Sequence, residues 1–365
     1  MLTPLVLSLL VVTGKQDAGL PHNTFDRGTE GWSVGQMSGS GAKVEAIYDK
    51  PHLKASPGSL DYSYKVGSGE ASLAALSVGV GKLAKMNSIH FWMQADHATT
   101  VVVTLQEKDG GRYSAACHAG KNVWQEVQLS LSDFALGTEP DAPKDPDGKL
   151  DPDQVESVAI IDAEMFLAQN QSISDLLGVT SGPRNLFISD FQFSDVKVPD
   201  SFALGADGYK IDTYTRPQES WIGFGISQMS VATDSPFTGK WLKLDYHVNP
   251  GHVNGTVRAL KMGALAGKKN LVFEVGAAKD SLLIVQIEQV NGAKFNSTID
   301  VPGMAHSKAF SLPISDMKIS DDSPDKGAKL DLSQVKQMVI LDIAGFTSSS
   351  DQDNTLWIGP ITAKA

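Results

Sequence analysis

Few groups of residues in this chain combine the types and spacing that chemistry needs. Asp162 and Glu164 are two carboxyls close in sequence. Two carboxyls that hydrolyse a glycosidic bond must face each other across a cleft, one with a raised pKa. Asp162 also has a counterpart, Asp342, in a second stretch of related sequence, which points to fold rather than to one active site. Cys117 is the single cysteine and His118 follows it. Neighbours on a strand point to opposite faces, so they form no thiolate–imidazole pair. The acidic run "EPDAPKDPDGKLDPD" suggests a calcium loop, but the EF-hand register puts Pro143 at position 1 and Gln154 at position 12. The first ligand and the bidentate glutamate are both missing, which leaves a solvated loop ending in a helix cap. HExxH, GxSxG, Walker A and a GxGxxG in βαβ context are absent from the sequence, and catalysis is not expected.

The elements that position these residues occur twice. "FDRGTEGW" (Phe25 to Trp32) and "YTRPQESW" (Tyr214 to Trp221) share an aromatic, an Arg, a Glu and a Trp. Ser88 to Tyr113 aligns without gaps on Asn270 to Phe295, and Gly148 to Asp162 on Ala328 to Asp342. "LFISDF" from Leu186 meets "LWIGPI" from Leu356. Such self-similarity is the mark of an internal repeat. Within a copy the apolar positions alternate: Ile89, Phe91 and Met93 point one way, and His90, Trp92 and Gln94 the other. Asp151, Pro152 and Gln154 read as a cap opening one helical turn, nearly repeated at Asp331. The expected fold is all-β: two tandem antiparallel β-sandwich (jelly-roll) domains, each with a short helix. The first spans 22–198 and the second 208–365, with a linker at 199–207. The stretch Ala163 to Arg184 is a long loop of the first copy alone.

Of 365 residues 20% are charged, and the net charge is −11. No basic footprint exists, so nucleic acid is not an expected partner. One cysteine excludes an internal disulfide and cysteine-rich zinc sites. Leu2 to Val12 is an apolar run of signal-peptide length, too short to span a bilayer as a helix. Residues 1–21 are read as signal peptide and leader, the protein as secreted or periplasmic, and the mature chain as having no membrane span.

The order of the motifs resembles a family. An aromatic-x(6)-Trp opening is followed by "WQEVQLSLSDF" (Trp124 to Phe134), then "LDPDQV", then "LFISDFQF". This is similar to the galactose-binding-domain-like jelly rolls. Within them it resembles β-glucan-binding carbohydrate-binding modules and the complex I intermediate-associated protein group. The resemblance implies a structural calcium near the first loop and closing strand, where this chain offers Asp26, Glu30 and Asp190. The second copy has Thr215 opposite Asp26 and Gly359-Pro360 near Asp190, so calcium is expected in the first copy only. It also implies sugar stacked on the exposed face of one sheet, which assigns His90, Trp92 and Gln94 to the ligand, with Gln106 and Arg112 extending the same face. The competing expectation is that a loop or the companion domain covers Trp92. Trp32, Trp124, Trp221 and Trp357 are expected to pack; Trp241 is left open between surface and interface.

The expected function is non-catalytic binding of a polysaccharide or glycan through the first copy, with the second as scaffold or protein-contact domain. The alternatives are a protein-interaction or assembly factor and a secreted glycoside hydrolase.

Overall fold

The computed structural model describes residues 19–36, 41–49, 53–67, 73–137, 145–206, 208–216, 221–233, 235–303, 306–347 and 351–365. Most of the leader read as a signal peptide, Pro143 of the acidic run, Asp207 of the expected linker and Glu219 of the second frame lie outside them. The chain divides into two compact units, Met1–Asp175 with Val179–Pro199, and Leu176–Gly178 with Asp200–Ala365. Among the described residues no helix is long and apolar enough to cross a membrane.

The first unit consists of two antiparallel sheets. One runs Lys43–Ile47, Ser59–Val66, Gly182–Ser194, Ser88–Ala95, Gln125–Ser130, with His22–Asn23 added beside Gly182–Ser194. The other runs Ala135–Leu136, Arg112–Ala119, Thr99–Glu107, Val155–Asp162, Ala74–Gly79, Ser33–Gln36. The core follows from strand alternation: Ile89, Phe91 and Met93 are fully buried, while His90, Trp92 and Gln94 between them are half-buried. Phe191 stacks on Phe91 at 5.1 Å and meets the edge of Trp32 at 4.9 Å. Each fully buried side chain of this kind contributes roughly 1.5–3 kcal/mol over its exposed state.

The second unit repeats the order. Ile226–Ala232, Trp241–Val248, Gln352–Ile358 and Asn270–Ala277 are neighbours in that sequence, and Lys308–Pro313 flanks Asn270–Ala277. Trp221–Phe224, Asn254–Ala259, Val335–Asp342, Ser281–Gln289, Lys294–Val301 and Lys318–Ile319 form the other sheet. Gly182–Ser194 is one strand with an irregularity between Ser189 and Gln192. Its counterpart is split into Gln352–Ile358 and Thr362–Lys364 around Gly359-Pro360, where proline can give no ladder hydrogen bond.

The helices are not where the caps suggest. After Asp151 the chain makes a turn, with Gln154 N–H donating to the Asp151 carbonyl at 2.9 Å, and strand Val155–Asp162 follows at once. After Asp331 it makes only the 3-10 turn Leu332–Gln334. Three residues separate each cap from a strand that pairs on both sides, so ladder bonds end the turn. The short helices stand after the strands, at Glu164–Leu167 and Gln171–Leu177 and at Ala344–Thr347. Those at Glu164 and Ala344 begin alike, each with a backbone N–H donating at 2.8 Å to the preceding aspartate, Asp162 or Asp342.

Candidate functional site

The outer face of the sheet holding Ser88–Ala95 carries the side chains best placed to meet a ligand. Register sets His90 opposite Gln128 on one side and Gln192 on the other, and Trp92 opposite Glu126. Gln192 Nε2 donates to His90 Nδ1 at 2.9 Å, His90 Nε2 meets Glu126 Oε1 at 2.9 Å, and Gln128 Nε2 donates to the same oxygen at 2.9 Å. The row is self-consistent with the proton on Nε2. It leaves a polar row anchored on a rigid strand, with a half-buried indole beside it.

Lys54 covers that indole, its ammonium 4.5 Å from the ring centroid. Lys54 is itself exposed, and an exposed cation–π contact contributes only about 0.5–1 kcal/mol. A ligand ring that stacks on the indole therefore has little to displace. Gln94 is half-buried on this face, opposite Phe187, and its Oε1 has no protein donor.

The remaining expected ligand residues lie elsewhere. Gln106 and Arg112 pair with each other across the Thr99–Glu107/Arg112–Ala119 hairpin, with Arg112 Nε donating to Gln106 Oε1 at 3.3 Å. That hairpin belongs to the other sheet. The chain crosses the sandwich between Ala95 and Thr99, so consecutive strands do not extend one face. Glu126, Gln128 and Gln192 were missed, although the alternation in "QEVQLS" already places Glu126 and Gln128 opposite Val127 and Leu129.

The expected calcium ligands do not converge. Asp190, at φ 55°, turns its carboxylate to His22 Nε2 at 2.7 Å. Glu30 accepts from Asn23 Nδ2 at 3.1 Å, and Asp26 from the Thr24 hydroxyl at 3.2 Å. Each carboxylate meets a different partner: Asp26 and Glu30 within the first loop, and Asp190 on the neighbouring strand. Among the described residues the acidic groups that do come together are Glu107, Asp109 and Asp145, which belong to the other sheet's hairpin and a loop. Asp26, Glu30 and Asp190 are not among the carboxylates whose oxygens lie within 4.8 Å of one another.

Asp162 is fully buried and its oxygens accept from the Tyr64 hydroxyl at 2.6 Å, the Thr99 hydroxyl at 2.5 Å and Glu164 N–H at 2.8 Å. Asp342 is held likewise by Tyr246 at 2.6 Å. Burial, and secondly the Asp162 charge, push Glu164 up to about 7, against His97 and Arg184.

Of the tryptophans, Trp32, Trp221 and Trp241 are buried, and Trp124 and Trp357 half-buried. On the second unit's counterpart face, Phe237 packs 4.9 Å from Trp241 and 5.7 Å from Trp357. Its ring sits where any side chain on Gly276 would be, and Gly276 is the counterpart of Gln94.

No family model matches the chain, and no curated protein does. Among solved structures it is similar to a family 11 carbohydrate-binding module from Clostridium thermocellum in complex with a β-1,3-1,4-mixed-linked tetrasaccharide. Identity is 17%, covering 50% of this chain and all of that one, with a TM-score of 0.35. It is also similar to TmCBM61 in complex with β-1,4-galactotriose, at 11% identity over 45% of this chain and 87% of that one, TM-score 0.28. An exo-β-agarase matches over 39% of this chain and 23% of its own length, at 15% identity and TM-score 0.30.

Proposed function

We propose that the first unit binds a polysaccharide or glycan, without catalysis, on the outer face of the sheet centred on Ser88–Ala95, and that the protein acts outside the cytoplasm. The observation that carries the reading is Trp92: an indole on the outer sheet face, covered among the described residues by the exposed Lys54 and bordered by the Gln192–His90–Glu126–Gln128 row. A sugar ring offers an apolar C–H face that suits an aromatic plane, and hydroxyls that need planar polar partners at its rim. The second unit is a scaffold or protein-contact domain, since Phe237 fills its equivalent face.

The test is retention of the full chain on a panel of immobilised glycans, with Trp92→Ala and Trp92→Phe compared. The expected result is retention lost in the first variant and partly kept in the second. Retention indifferent to Trp92→Ala removes the indole from the site. A wild-type chain that no glycan retains, but that co-purifies with one defined protein, favours the assembly-factor reading.

A further inference from the structure

At the turn between Thr99–Glu107 and Arg112–Ala119, the Glu107, Asp109 and Asp145 carboxylates each present an oxygen within 4.8 Å of the others. Glu107 is only 1% exposed. One of its oxygens accepts the Asp151 N–H at 2.5 Å; the other, Oε2, is buried and has no hydrogen-bond partner. A buried, unpartnered carboxylate oxygen is costly, and more so beside two further negative charges. Among the described residues, no lysine, arginine or histidine forms an ion pair with any of the three.

The second unit contains the same corner with Gln289 and Asn291 in place of the two hairpin carboxylates, while Asp325 keeps the place of Asp145, its Oδ1 accepting the Gly327 N–H at 2.8 Å as Asp145 Oδ1 accepts that of Asp147 at 3.1 Å. Glu107 N–H bonds the Gly111 carbonyl at 2.7 Å, and Gln289 N–H the Ala293 carbonyl at 2.9 Å. Lys108 N–H bonds Gln154 O at 3.0 Å, and Val290 N–H bonds Gln334 O at 2.9 Å. Gln289 Oε1 accepts the Asp331 N–H at 2.5 Å, as Glu107 Oε1 accepts that of Asp151. There the likeness stops. Gln289 Nε2 donates to Asn291 Oδ1 at 3.4 Å, so an amide pair closes the corner. The first unit has Glu107 and Asp109 at those positions, two acceptors and no donor. Tyr113, whose hydroxyl donates to Asp145, stands where the second unit has Phe295. Gly111 stands where the second has Ala293, and a Cβ at Gly111 would collide with Glu107 Oε2. The first corner is thus built around carboxylates whose missing component is positive.

We propose that Glu107, Asp109 and Asp145 hold a divalent cation of the calcium class at this corner of the first unit. Calcium–oxygen bonds of about 2.3–2.6 Å allow two ligands of one ion to lie up to about 5 Å apart, which the 4.8 Å limit meets. Carbonyls and water complete the sphere. The ion would tie the hairpin to the loop bearing Asp145, as the Lys294–Asp322 ion pair and the Lys294 N–H bond to Ser323 Oγ at 3.3 Å tie hairpin to loop in the second unit. The inference stands whether or not a glycan binds.

The experiment is calcium chloride titrated into the chelator-stripped full chain, by calorimetry and thermal melting. The comparison includes Glu107→Gln/Asp109→Asn, which installs the second unit's amides, and Asp190→Asn on the closing strand. The expected result is a calcium heat and, at a hundredfold excess over Kd, a rise of roughly 5–10 °C in the first unit's melting midpoint. Both are lost in the double variant and kept in Asp190→Asn, and the double variant in chelator melts no lower than the stripped wild type. No calcium heat at millimolar calcium overturns the site, leaving a proton as what neutralises Glu107. A heat that survives in the double variant, or vanishes in Asp190→Asn alone, overturns it by moving the ion elsewhere.

Discussion

The two hairpin corners share a backbone and differ in charge: Glu107 and Asp109 in one, Gln289 and Asn291 in the other. The first loops invert the contrast. Trp32 Nε1 donates to the neutral Asn23 at 3.2 Å, while Trp221 Nε1 donates to the buried Asp212 at 2.5 Å, which has Arg258 beside it at 3.7 Å. Both loops begin with an aromatic at positive φ, Phe25 at 56° and Tyr214 at 47°. What both copies keep is therefore what the sandwich needs to close. What only one keeps has been added to it, and each added charge needs a partner the other copy never required.

The largest way to break the comparison is at that loop. Arg258→Met removes the cation 3.7 Å from the buried Asp212, leaving Arg216 as the other positive charge acting on it, and should cost the second unit up to about 3–5 kcal/mol. Adding Asp212→Asn, the first unit's chemistry, should recover most of it. Denaturant unfolding of the full chain reads both; a double variant as unstable as the single would mean Arg258 acts through packing. Next comes sugar binding, where Trp92→Ala should weaken the affinity by about 30-fold, as for an anchor contributing about 2 kcal/mol. Gly276→Gln, which gives the second face the residue of the first, collides with Phe237 and should cost about 1–3 kcal/mol, whereas Gln94→Gly should cost less. Thermal melts of both variants make that comparison.

A pH series is the third route. The folded pKa of Glu164, about 7, lies above its ordinary 4.5, so its contribution is complete below pH 4.5 and is lost as pH rises through about 7. His97, also raised, acts with the same sign. Glu164→Gln should flatten the fall in the first unit's stability over that window, and an unchanged slope would assign it to other groups. The smallest effect is expected from Lys54→Ala, which uncovers the indole and should raise glycan affinity by about 2–5-fold, the equivalent of one exposed cation–π contact.

Much of this was legible from alternation and self-alignment. The pattern of Ile89, Phe91 and Met93 against His90, Trp92 and Gln94 gave the buried and open faces of the strand that bears Trp92, because side-chain direction there is local. Sheet membership is not local. Nothing in "ADHATT" says that the chain crosses to the other sheet, so Gln106 and Arg112 were assigned to a face they do not share. The helix at Asp151 failed because a good cap cannot extend a helix into residues already claimed by two neighbouring strands. The carboxylates of the first loop and closing strand form a set by charge alone, and each has a separate partner: Thr24 for Asp26, Asn23 for Glu30 and His22 for Asp190. The Glu107 corner was in the alignment from the start, "LQEKDGG" over "IEQVNGA". Finding it needed the burial of Glu107, which the alternation in its strand supports, and the approach of Asp145 from a distant loop, which no local pattern contains.

Phe237 on Gly276 bears on valency. If the proposed glycan site is correct, a chain with two equivalent faces, one plugged by its own phenylalanine, offers a single foothold to a polymer. Two linked feet would hold a polysaccharide far longer than either alone and could bridge neighbouring chains. One foot would decorate a strand, leave at the off-rate of a single site and cross-link nothing, so under the proposed function the plug would set residence time along with the residues of the first face.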